Sequence, residues 1–348
     1  AANFDAHVKL LKECRRAREE QSARDRLASA AAVGAPAHEL AAILESIRAS
    51  DQPVDSRPRL QWADEFCQSR PDEDWLIDQY IPASSVGLVF GDSEAWKSFL
   101  LIDMAAHIAT GKPWRGREVK SGKVLFIAGE GGNGLRTRIK AWFERHGEPM
   151  RNFAVSTVPL ELCDPKNADI LISDIRRFIG DESFSFIVLD TLNTHFGAGD
   201  ENATADMTRF RLAVLKLSQA TGATVAIVHH CGHQDKTRSR GNISLHNGID
   251  WEYKLERSGD YTTMTNSKMK DSAKPPPLSW TLVQQPLPWA DSKGNPINGA
   301  VLEPSTHAST HASTRRLLTR QQRITLEVLD AAIASHGDGD SVLIADWR

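Results

Sequence analysis

The chain has 348 residues, 41% of them hydrophobic and 25% charged, and a net charge of −3. That is the make-up of an ordinary globular protein with room for one large domain and smaller pieces. The charge excludes a generally basic coat, so any nucleic-acid contact has to come from a local patch. Four cysteines, Cys14, Cys67, Cys163 and Cys231, lie far apart without a C-x-x-C pair, which indicates neither a zinc site nor a disulfide framework. There is no signal peptide and no apolar run of bilayer length, so the expected compartment is the cytoplasm, with no membrane partner. The first residue is not Met and the last three, Asp346-Trp347-Arg348, directly follow an apolar run, so the chain reads as a piece of something longer.

Residues 1–50 read as an N-terminal helical segment. Phe4, Val8, Leu10, Leu11 and Cys14 make a sparse apolar stripe, and Leu40, Ile43, Leu44 and Ile47 make a second. The charged run between them has balanced signs and reads as a solvated face. Residues 51–58 (DQPVDSRP) form a linker, and the core is expected over 59–286. Trp75, Leu76, Ile77 and Ile81 are expected to pack on its first strand, Val86 to Phe90. A helix from Ser98 follows, stopped by Gly111 and Pro113.

Further strands are predicted at Val124 to Glu130, Phe153 to Val158, Phe186 to Asp190 and Thr224 to His230. Helices are predicted after Glu130, over Asp169 to Ile179 and over Ala205 to Ala220. Strands and helices alternating at this spacing indicate an α/β fold with a parallel sheet. A polar loop after His230 carries Lys236, Arg238 and Arg240. Three alternating runs (IDWEYKLER, YTTMTNSK, LSWTLVQQ) extend the sheet in antiparallel fashion. Residues 287–314 read as flexible linker, and 315–348 as the start of a truncated C-terminal small domain with a helix over Arg315 to His336.

The chemistry centres on Gly91-Asp92-Ser93-Glu94-Ala95-Trp96-Lys97-Ser98, between a buried strand and a helix. This is the spacing of a phosphate-binding loop: backbone N–H groups surround the phosphates, Lys97 reaches the outer ones, and Ser98 takes a position on Mg²⁺. The contacting set is Gly91, Ser93, Glu94, Ala95, Trp96, Lys97, Ser98 and Phe99. Trp96 stands where Gly is usual, so its side chain has to point away from the phosphates, and the loop is then either less permissive or stacks Trp96 on something.

In parallel α/β sheets ligands sit at the carboxyl ends of the strands, where Gly91, Glu130, Asp190 and His230 all fall. Asp190 alone is a polar strand end meeting solvent. Beside a phosphate loop, and expected on the strand next to it, it is read as the second metal ligand. Glu130, among Gly129, Gly131, Gly132 and Gly134, has the position of a base or water-orienting group, the glycines letting nucleotide and water approach. His229 and His230 point to opposite faces, so one of them can meet the γ-phosphate; His230 is chosen. Arg240, or the pair Lys268 and Lys270, is either an ordinary solvated cation or a finger reaching a neighbouring subunit's phosphate.

With GDSEAWKSFL, VLFIAGEG and its LRTRIKAW, IVLDTL…GDENATADM, TVAIVHH and SRGNISL in order, the core from about Leu76 to Gln285 resembles the RecA-type ATPase of RepA-like hexameric replicative helicases, related to the DnaB branch. The resemblance implies a RecA-like P-loop NTPase fold and ATP with Mg²⁺ hydrolysed at the subunit interfaces of a homo-oligomeric ring. It implies Glu130 as catalytic carboxylate, Asp190 as Walker B acid and His230 as phosphate sensor. Arg240 matches the family's arginine finger, and Lys268/Lys270 resembles the K-x-R finger of the DnaB branch. Single-stranded DNA is held in that family by loops after the fourth and fifth strands, here Asn193 to Asn202 and Cys231 to Arg240. Asp200 and Glu201 disfavour the first, which leaves Lys236 and Arg238 as the DNA-binding pair. Relatives often carry a primase module, making a primase or replication-initiation factor a further implied partner. The alternatives are a recombinase-like or regulatory ATPase that binds DNA without unwinding it, and a nucleotide-gated scaffold in which Trp96 has sacrificed turnover.

Overall fold

A computed structural model describes residues 74–129, 132–231 and 243–305, with scattered positions between 21 and 67. The chain divides into two units, Ala1–Asp72 and Glu73–Arg348. In the first, positions 27–30 are helical, in line with the sequence; the site and its scaffold belong to the second. The linker 51–58, Glu130, Lys236, Arg238, Arg240 and the segment 315–348 lie outside the described residues.

Five apolar runs form parallel strands: β3 (Val86–Gly91), β4 (Lys123–Ala128), β5 (Phe153–Ser156), β6 (Phe184–Asp190) and β7 (Thr224–His230). Ahead of them β1 (Trp75–Ile77) and β2 (Ile81–Pro82) make a small antiparallel pair, whose Leu76, Ile77 and Ile81 join the apolar cluster of Val89 on β3. The helices are α1 (Lys97–Thr110), α2 (Gly132–His146), α3 (Pro165–Ile179), α4 (Leu192–Phe196), α5 (Thr204–Thr221) and α6 (Ile243–Asn247). Then come β8 (Trp251–Ser258), β9 (Tyr261–Met269), β10 (Leu278–Ala290) and β11 (Pro296–Ser305). The nine-stranded sheet runs β11-β10-β9-β8-β3-β7-β6-β4-β5. It is parallel from β5 to β8 and antiparallel from β8 to β11, an α/β arrangement consistent with a RecA-like P-loop fold.

Side chains alternate between the faces of a strand. Val89, Phe126, Val188 and Val228 point to the face covered by α1 and α2. Phe90, Ile127, Leu189 and Ile227 point to the face covered by α3 and α5. Burial on both faces is what lets these strands be continuous apolar runs.

Two expectations are corrected here. The strand of Asp190 does not lie next to the phosphate-loop strand: β7 sits between β6 and β3 and pairs with both. The connection through α5 returns the chain from β6 to β7, between β6 and β3. Of the stretch 287–314 read as flexible linker, residues 287–305 are instead the end of β10, a turn and the whole of β11, and 306–314 lie outside the described residues. Beyond Leu282 this hairpin leaves β9 and packs over α2, where Arg145 Nη2 lies 2.8 Å from Glu303 Oε1. Smaller differences are an earlier start of α3, at Pro165 behind an Asp164 cap that accepts from Lys166 N at 3.0 Å, and the end of β5 at Ser156.

One buried carboxylate ties α1 to α2. Asp103, 6% exposed, accepts from Trp114 Nε1 at 2.8 Å and Trp142 Nε1 at 2.7 Å, with His107 Nε2 at 3.6 Å. Such saturation is what permits a charge inside an apolar layer.

Candidate functional site

The phosphate loop is shaped by its neighbours. Gly91 ends β3 with a Cβ position that would overlap the Leu255 carbonyl of β8, so no side chain fits there. Glu94 and Trp96 take left-handed backbone, at φ 65 and φ 63. Trp96 is the N-cap of α1, and its carbonyl accepts from Leu100 N at 3.0 Å. No side chain caps this end, so the first-turn N–H groups of α1 are presented to a ligand from a positive helix terminus.

Lys97 lies at the base of the loop, 6% exposed, and donates from Nζ to Gly91 O at 2.9 Å and to Asp92 O at 2.8 Å. Burial lowers its pKa, and the charge of Asp190 is the foremost influence in the opposite direction. Asp190 and His230 continue the alternation of Val188 and Val228, which puts both on the α1 face. His230 is paired in register with Gly91, the first residue of the loop, and is half-buried, whereas His229 is 1% exposed.

Around this centre the sequence-read contacts divide. Ser98 opens α1 beside Lys97. Ser93 and Glu94 are exposed, and Glu94 Oε2 is 3.9 Å from Arg257 Nη1. Ala95 is buried, its carbonyl accepting from Thr262 Oγ1 of β9 at 3.1 Å. The Phe99 ring carries the Arg138 guanidinium 4.8 Å from its centroid. Trp96 packs against the core, with the Arg257 guanidinium 4.7 Å from its ring centroid. Of the two outcomes open to Trp96, stacking is the one present, with Arg257 as its partner.

Gly129 has a different reason from the one expected. A Cβ there would meet Thr194 of α4 rather than intrude on a ligand, and its N–H donates to Asp190 O at 3.1 Å. Lys268 and Lys270 are both engaged within their own chain. Lys268 Nζ donates to His246 O at 2.6 Å and Asn247 O at 3.4 Å, and Lys270 Nζ is 3.8 Å from Asp250 Oδ1. Arg257, Thr262 and Arg138 are the residues sequence reading missed. Each acts on the loop from a distant element, and no motif marks them.

Ser98 and Asp190 offer oxygen donors, a hydroxyl and a carboxylate, of the kind hard divalent cations take, and no cluster of three or more His, Cys, Asp or Glu side chains that could hold a metal lies among the described residues. No helix among the described residues is long and apolar enough to cross a membrane. A family model described as an AAA domain (AAA_25) matches residues 52–236. No curated protein matches the chain.

Proposed function

The chain belongs to the AAA domain family, a family of P-loop ATPases, and from that premise we propose that it is an ATP-driven, ring-forming translocase or helicase on single-stranded DNA. The observation that carries the ATPase part is Lys97 at the base of the loop, its Nζ donating to the Gly91 and Asp92 carbonyls at an uncapped helix start, with Asp190 on the same face at the carboxyl edge of the sheet. Lys97 and the first-turn N–H groups of α1 would hold the outer phosphates. Ser98 and Asp190 would hold Mg²⁺, which when bound supplies charge neutralisation for phosphoryl transfer.

His230, on the strand between the lysine and aspartate strands, is placed to register the outermost phosphate and pass its loss to the loop that follows β7. Lys236 and Arg238 in that loop are the proposed contacts to the DNA backbone. Glu130 keeps its proposed role as the carboxylate that orients water. For the cation reaching a neighbouring subunit's phosphate, Arg240 is the better candidate, because Lys268 already braces the end of α6.

The test is the ATPase rate with and without single-stranded DNA, for the chain and for Lys97→Ala. A DNA-stimulated rate that falls about 100-fold or more in the variant supports the proposal. A rate indifferent to both DNA and the substitution removes it. Strand displacement on a forked substrate separates a helicase from an ATPase that binds DNA without unwinding it.

A further inference from the structure

A tryptophan with left-handed backbone at the N-cap of a phosphate loop calls for something to hold it. L-residues avoid that conformation because Cβ crowds the following carbonyl oxygen, a penalty glycine does not carry. Arg257, near the end of β8, lies over the Trp96 ring at 4.7 Å. Its own position is set twice: Nε donates to Gly259 O in the β8–β9 turn at 3.1 Å, and Nη1 lies 3.9 Å from Glu94 Oε2. The same hairpin reaches the loop again through Thr262 Oγ1, which donates to Ala95 O at 3.1 Å. Glu94, Ala95 and Trp96, the three residues before Lys97, are thus each tied to the hairpin.

We propose that Arg257 is a positioning residue for the phosphate loop. By stacking on Trp96 it holds the indole away from the phosphates and keeps the N-cap in the conformation glycine supplies unaided. Arginine suits the task because its planar cation lies flat on an indole face while its remaining N–H groups stay free to be anchored. The proposal rests on the nucleotide-site reading given above and extends it. In this chain the role of the loop glycine is divided between a tryptophan and an arginine on a separate strand.

The dependence is conditional, and that makes it testable. Arg257 matters only while residue 96 carries the indole. Binding of a fluorescent ATP analogue is compared for the wild-type chain, Arg257→Ala, Trp96→Gly and the double variant, with kcat and KM for ATP hydrolysis. Arg257→Ala is expected to weaken binding and raise KM about three- to fivefold with a smaller change in kcat, as loss of one partly exposed cation–π contact predicts. Arg257→Lys, which keeps the charge and loses the planar fork, recovers only part of that loss. In the Trp96→Gly background Arg257→Ala should change nothing further.

An equal loss in both backgrounds would overturn the proposal, since Arg257 would then act on the nucleotide directly; so would no loss in the wild-type background. Hydrogen exchange of the 92–100 amides without nucleotide tests the same point independently. Exchange is faster in Arg257→Ala and not faster still in the double variant than in Trp96→Gly; equal acceleration in both backgrounds, or none, refutes the proposal. If the wild-type chain binds no nucleotide, the functional reading fails, and the exchange comparison still decides the role of Arg257.

Discussion

The start and the middle of α1 put their charged residues to opposite uses. At its start Lys97 is tied to two loop carbonyls and sits in the field of Asp190, beside first-turn N–H groups that no side chain caps. Two turns on, Asp103 is surrounded by two indole N–H groups and an imidazole and has nothing left to offer a ligand. A buried polar group whose partners are all internal serves the fold. One whose neighbours are uncapped amides and a second charge from another strand is arranged for something that arrives. Burial alone does not separate them, because each residue is 6% exposed.

Asp190→Asn should break the comparison most sharply on the functional side. It leaves the strand in place and removes the metal-holding charge, so kcat should fall about 1,000-fold while the melting temperature stays put. Melting measured beside turnover checks this, and a large drop in stability would move Asp190 into the class of Asp103. The converse is Asp103→Ala. Losing the shared acceptor leaves two buried indole N–H groups without it, at a cost of about 3 kcal/mol read from denaturant unfolding. Nucleotide affinity per folded molecule should stay unchanged.

The smallest effect sharpens the comparison through pH. Burial lowers the His107 pKa below the usual 6.5, with Asp103 opposing. Near and below that pH the unfolded chain binds more protons than the folded one, so stability falls as pH drops and levels off above the ordinary histidine value. His107→Gln should remove part of that acid sensitivity, under about 1 kcal/mol between pH 7 and pH 5, in unfolding curves taken across the range.

What the sequence made legible follows the same physics. β3 and β7 were read to within a residue, because continuous apolar runs closed by Gly91 and His230 carry their own punctuation. β11 was not. Pro296, Asn298 and Gly299 have linker composition, and only pairing with β10 and packing over α2 make the segment a strand. The residues of the loop were legible from spacing, and a stacking partner for Trp96 was one of two readings open there. That the partner is Arg257 depends on β8 lying beside β3, which no local pattern encodes. The strand order misled for the same reason: nothing in the run around Asp190 shows that β7 will come between it and the loop.

That interposed strand acts as a ruler. With neighbouring strands about 4.8 Å apart, the backbones that carry Lys97's loop and Asp190 stand roughly 10 Å from one another, a span maintained by main-chain hydrogen bonds on both sides of β7. Enlarging or trimming Ala226 or Val228 would disturb the layer beneath without altering that gauge. Any molecule gripped from both sides has to be long enough to cross the width of one intervening strand.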